Sequence, residues 1–163
     1  MLASVFLSWH RLQSRWLQSA RARSRAVASL AEARGNWGER EAARLLADKG
    51  YMIVARNDRP VKSDRRLEID IVAYDVANDT LVFVEVKQHA AHSAYERRLR
   101  SIDRQKLKNL RRACCAWLKT HKWKGAYRFD VVEVFGVPGS PAECDHIERV
   151  ALFARRERFV KWN

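Results

Sequence analysis

The chain has 163 residues, with 32 Lys and Arg against 19 Asp and Glu and a formal net charge of +13. That length suits one domain with an ordinary core and an appendage, and an excess of this size points to polyanionic partners, nucleic acids or acidic membranes. The three cysteines, Cys114 and Cys115 adjacent and Cys144 alone, have no C-x-x-C spacing; they argue against a zinc framework or disulfide scaffold and for a reducing, cytoplasmic setting.

Residues 1–34 carry no acidic residue before Glu32 and place Leu2, Phe6, Trp9, Leu12 and Trp16 at helical spacing. This basic amphipathic arm is too short and too interrupted to span a bilayer. A targeting peptide, an interfacial helix and a basic arm assisting nucleic-acid binding are all open readings of it. A compact α/β pattern follows over 35–135. Its first helix runs from Glu39 to Lys49 and is stopped by Gly50. A strand over 51–56 leads into a polar, basic loop over 57–66 that contains Pro60. Segments 67–74 and 80–87 are rich in Val and Ile and joined by Asp75, Asn78 and Asp79, which predicts a β-hairpin. A basic helix reaches to about His121, its apolar face formed by Leu99, Ile102, Leu107, Leu110, Cys114, Trp117 and Leu118. A strand over 127–135, a turn-rich break over 136–141 and an apolar run over 147–153 complete the order αβββαβ, with a possible last strand within the 136–163 tail.

The hairpin carries charges where a buried sheet should be apolar. Glu68 and Asp70 share one strand face, and Glu85 and Lys87 share another. Symmetric closure sets Tyr74 opposite Leu81 and Val72 opposite Phe83, then Asp70 opposite Glu85 and Glu68 opposite Lys87. Opposed Cβ atoms lie roughly 4.5–5.5 Å apart, near enough for two carboxylates to share a Mg²⁺ ion at about 2.0–2.1 Å per oxygen. Unpaired buried carboxylates are costly, so the partners expected are Lys87 and a divalent cation. Salt bridges facing water on an edge strand are the alternative. On the basic helix, Arg97, Arg98, Arg100, Arg104, Lys106, Lys108, Arg111 and Arg112 meet only Glu96 and Asp103. A solvated face would mix both signs, so this imbalance favours phosphate tracking. His89 and His92 are expected at the surface. Arg128, Asp130 and Val132 share a face of the strand over 127–135.

Gly35, Gly38-Glu39, Ala42/Ala43, Leu46, Gly50-Tyr51, Arg56-Asn57, the run Glu68-Ile-Asp70-Ile-Val and the run Val82-Phe-Val-Glu-Val-Lys87 together resemble the YraN-like family of bacterial proteins. That family is predicted to be endonuclease-like and is similar to archaeal Holliday junction resolvases and the PD-(D/E)xK nucleases. The resemblance covers about 35–135. One departure is Leu67, where the family usually has glycine before the Glu68 position. The resemblance implies a restriction-endonuclease-like core with a mixed central sheet flanked by helices. It implies a catalytic set of Glu39, Asp70, Glu85 and Lys87, with Mg²⁺ or Mn²⁺ held by Asp70, Glu85 and the main-chain carbonyl of Val86. Lys106 falls where the family tends to carry a basic residue. Glu68, as a partner for Lys87, and Asp130, as a strand carboxylate beside Arg128, rank lower. The implied substrate is DNA, branched or junction forms included, with a C2 homodimer if the junction is symmetric and no integral membrane segment. Two other classes stay open: a non-catalytic nucleic-acid-binding module on the same scaffold, and a basic peripheral membrane or assembly protein acting through residues 1–34.

Overall fold

The computed structural model describes residues 37–90 and 104–152. The arm at 1–34, Arg97, Arg98, Arg100, His92 and the basic tail beyond Leu152 lie outside these residues. The described elements are α1 (Trp37–Asp48), β1 (Tyr51–Asp58), β2 (Ile69–Asp75), β3 (Thr80–His89), α2 (Arg104–Thr120), β4 (Ala126–Phe135) and β5 (Glu143–Ile147). The five strands form one sheet in the order β1-β2-β3-β4-β5. Three neighbouring pairs are antiparallel and β3 with β4 is parallel, so the sheet is mixed.

Period-two alternation divides the apolar residues between the two faces. Tyr74, Val72, Leu81, Phe83 and Phe129 pack under α2 against Leu110, Cys114 and Trp117. Ile71, Ala73, Val82, Val84, Val132 and Val134 pack under α1 against Trp37, Ala42 and Leu46. Helix α1 ends at Gly50, whose φ of 85° is a conformation glycine adopts without strain. The hairpin turn is closed by Asp75, which accepts bonds from the Asn78 amide and side chain at 3.1 and 2.8 Å. Helix α2 is pinned to the end of β1 by the Trp117 indole, which donates to Asp58 at 2.9 Å.

Two features depart from sequence expectation. Strand β1 contains a bulge: Ile53 stands opposite Ala73, whereas Ala55 stands opposite Val72. The last strand is Glu143–Ile147 rather than 147–153, because the turn after Phe135 reverses the chain early enough to seat Glu143 opposite Phe135. Arg149, at a φ of 59°, then breaks the extended path, and Leu152 is buried against the α2-side core. As an edge strand, β5 has no need of the apolar run that suggested the later position.

Candidate active site

The β2–β3 ladder runs in the expected register from Asp75↔Thr80 to Ile71↔Val84 and stops there. One step on, Asp70 Oδ2 accepts the backbone N–H of Val86 at 2.8 Å, so a side chain takes the place of the next main-chain rung. The anticipated opposition of Glu68 and Lys87 is not formed: Glu68 binds the Arg59 guanidinium, with Nε at 2.5 Å. The cause is local, since the strands part beyond Ile71 and the loop before β2 supplies its own arginine. Leu67, the departure from the glycine of the resembled family, is a core residue, 2 % exposed.

Glu85 is 1 % exposed. Its Oε1 faces the Lys87 ammonium at 3.0 Å, and the Lys106 ammonium of α2 contacts the same oxygen. Neither approach is aligned as a hydrogen bond, so this oxygen is balanced by ion pairing alone. Burial and the adjacent Glu85 charge push the Asp70 carboxyl up to about 7, against the opposing pull of the Val86 N–H and Lys106. Burial lowers the Lys106 pKa, but the close Glu85 carboxylate and the charge of Asp70 outweigh it, and the net shift is upward. Lys106 reaches the site because α2 packs through Leu110, Ala113, Cys114 and Trp117, which turns the helix start toward the end of β3.

A pocket of about 400 Å³ opens here, lined by Arg66, Glu68, Asp70, Glu85, Gln105, Lys106, Asn109 and Leu110. Arg66, Gln105 and Asn109 were not anticipated from sequence. The usable signal was helical spacing, since Gln105 and Asn109 bracket Lys106 and bond each other at 3.1 Å. Arg104 and Lys108 are exposed on the same helix.

Glu39 is placed by glycine. The Gly38 amide donates to Gln88 Oε1 at 3.2 Å, and a Cβ at Gly38 would come within 2.8 Å of that oxygen. A side chain at this position would have to displace Gln88, so glycine eases the close approach of the first turn of α1 to β3, just past Lys87. Glu39 Oε2 then accepts a bond from Asn57 Nδ2 at 2.7 Å and stands 3.6 Å from Arg56 Nη2. Its charge reaches Asp70 and adds to the upward shift there.

The other two histidine and carboxylate expectations resolve differently. Asp130 is 0 % exposed and lies on the α1 face, away from this pocket. It accepts bonds from Arg128 Nε at 3.1 Å and the Arg149 amide at 2.9 Å, and its Oδ2 lies 2.9 Å from His146 Nε2. Arg128 also binds Asp75 at 2.8 Å, so Asp130 belongs to a satisfied structural cluster. His89 is not a surface residue: it sits 3.3 Å from Glu133 and against the Phe135 ring.

The donor set suits a hard divalent ion. Among the described residues no group of three or more His, Cys, Asp or Glu gathers in ion-holding geometry, but Mg²⁺ keeps several waters and needs only one or two carboxylates. A buried Glu85 oxygen without an aligned hydrogen bond, next to an Asp70 carboxyl destabilised by that same charge, fits such an ion between them.

The family model described as Uncharacterised protein family UPF0102 matches residues 38–134. A UPF0102 protein of Nitratidesulfovibrio vulgaris is 44 % identical over 101 residues, covering 61 % of this chain and 70 % of that protein. One from Beutenbergia cavernae is 37 % identical over 120 residues, 73 % of this chain and 96 % of its own length. A third, from Cytophaga hutchinsonii, is 34 % identical over 103 residues, 63 % of this chain and 85 % of that protein. The matched span takes in Glu39, Asp70, Glu85, Lys87 and Lys106 and bears out the YraN-like resemblance. The chain belongs to the UPF0102 family.

Proposed function

We propose that this protein is a metal-dependent nuclease that hydrolyses phosphodiester bonds, with DNA as its substrate and branched or junction DNA among the forms to test first. One observation carries the reading: two acids from neighbouring strands, the part-buried Asp70 and the buried Glu85, line one pocket with Lys106, and Lys87 sits on Glu85. A strongly basic protein has little structural reason to crowd a buried and a part-buried carboxylate together at the end of its sheet unless a cation is to share them. Asp70, Glu85 and the Val86 carbonyl would hold Mg²⁺ or Mn²⁺. In extended backbone the N–H and C=O of one residue point to the same side, so the Val86 carbonyl shares the side on which its N–H meets Asp70.

When bound, the ion would supply a more acidic water and neutralise phosphate charge. Lys87 would orient the attacking water or donate to the phosphate oxygen on which charge develops. Lys106, with Arg104 and Lys108 exposed along the same helix, would meet flanking phosphates. Glu39 would act from the helix side through a water. The test is a panel of labelled linear and branched DNAs with Mg²⁺, Mn²⁺ or EDTA, run beside Lys87→Ala. Cleavage by wild type only, and only with metal, is expected; equal product from Lys87→Ala or in EDTA ends the proposal.

A second reading, a nucleic-acid-binding module without catalysis, is supported by the exposed Arg104 and Lys108 of α2, which could track phosphates without a metal. It predicts salt-sensitive binding to the same DNAs with no cleavage under any metal. Among the described residues no helix is long and apolar enough to cross a membrane.

A further inference from the structure

The arginine beside Glu39 is a candidate for a role of its own. Arg56 has a side chain only 8 % exposed, and its Nε and Nη2 are buried without a hydrogen-bond acceptor. These two nitrogens form one edge of the guanidinium, the fork that grips a carboxylate through two parallel bonds. A buried guanidinium with an unfilled fork is expensive, and protein interiors tolerate few such groups without a purpose. The anion facing it is Glu39, whose Oε2 stands 3.6 Å from Nη2.

The bulge in β1 is what points Arg56 at Glu39. Continuing the register Ile53↔Ala73 without interruption would set Ala55 opposite Ile71 and Arg56 opposite Asp70, on the α2 face. The extra residue instead sets Ala55 opposite Val72 and Arg56 opposite Ile71. Ile71 belongs to the α1-side core and Ala55 packs with the α2-side core, so the bulge moves the arginine to the face that carries α1. Re-aiming a side chain beside a site is a recurrent use of bulges. Asn57, at a φ of 48°, then turns back to bind the same carboxylate at 2.7 Å.

We infer that Arg56 is a positioning residue: its open fork, with Nη2 3.6 Å from Glu39 Oε2, takes up the Glu39 carboxylate when the site is loaded and orients it toward the end of the sheet where Asp70 and Glu85 meet. Arg56 touches neither substrate nor ion and acts through Glu39. The inference rests on the proposed metal site, and its test separates the two. Mn²⁺ binding to the full chain is measured by electron paramagnetic resonance for wild type, Asp70→Asn, Glu39→Gln, Arg56→Met, Arg56→Lys and the Glu39→Gln/Arg56→Met pair. Circular dichroism confirms that each variant is folded.

Asp70→Asn should abolish binding. Glu39→Gln and Arg56→Met should each weaken it about tenfold, the lower end of the effect of residues that orient ligands. The double variant should be no weaker than either single one, because both changes remove one interaction. Arg56→Lys keeps the charge and loses the fork, so it should weaken binding as Arg56→Met does; it also serves if Arg56→Met does not fold. Wild-type affinity in both Arg56 variants, or losses that multiply in the pair, overturns the role of Arg56 while leaving the metal site standing. Absence of Mn²⁺ binding by wild type, or undiminished binding by Asp70→Asn, overturns the metal site and this inference with it.

Discussion

Asp130 and Glu85 are buried to 0 % and 1 % exposure on opposite faces of one sheet, and their surroundings differ in kind. Asp130 has a guanidinium, an imidazole and a backbone amide around it, all within 3.1 Å. Glu85 has two lysines crowding a single oxygen and a pocket in front of it. Asp130→Ala is therefore expected to destabilise the fold by about 3 kcal/mol, since it leaves Arg128 buried without one of its two closest carboxylates. Urea unfolding would measure that loss, while the folded fraction should bind Mn²⁺ as wild type does; a loss of binding without a loss of stability would contradict the assignment. At this scale the nearness of Glu85 and Lys87 was legible from sequence, because strand alternation fixes which side chains share a face. Arg56 was not, because its direction depends on a bulge, and a bulge leaves no mark on the apolar pattern of residues 51–56.

Among the elements, α1 and α2 each bring one charged residue to the end of the sheet by a different device. For α1 the device is close approach at Gly38, where a methyl group would displace Gln88 Oε1, 2.8 Å away, and crowd its Cβ at 3.1 Å. Gly38→Ala is expected to cost about 1–2 kcal/mol through overpacking and to push Glu39 away from Asp70. Thermal unfolding and Mn²⁺ affinity, measured on the same sample, would both fall; unchanged affinity would show that α1 has room to adjust. For α2 the device is rotation set by Leu110, Cys114 and Trp117, which an amphipathic pattern does reveal. The pattern could not show that Lys106 meets Glu85, because the pairing depends on how far along the sheet the helix lies. The same limit applies to β5: its existence was readable, but its position was set by the turn over 136–142, not by its own residues.

Across the whole molecule, the Arg128 cluster makes stability sensitive to acid. Burial raises the Asp75 carboxyl, but bonds from Asn78 and Arg128 outweigh it and hold the pKa below the usual value. A carboxyl depressed in the folded state binds fewer protons there than in the unfolded chain. The stability it provides is thus complete above about pH 4, the unfolded value, and is lost as pH falls through the folded one. Asp75→Asn should be less stable than wild type at neutral pH and show a shallower fall as pH drops below about 4; parallel curves for the two proteins would refute the linkage. The α/β class was readable from the order of elements and the mixed sheet was implied by the family resemblance, whereas the closure of this cluster across β1, β2, β4 and β5 was not readable, since its members are far apart in the chain.

The single parallel pair, β3 with β4, has a kinetic corollary. Parallel neighbours cannot arise from a local hairpin, so the chain must leave the end of β3 and travel back before β4 can dock. Lys106 lies within that return journey, downstream of both acids. The hairpin can therefore deliver Asp70 and Glu85 early, as two like charges with no helix beside them, and their second ammonium arrives only with the crossover. The charge balance at Glu85 therefore depends on the docking of α2 as well as on the hairpin, and the pocket, lined by both, needs the two together.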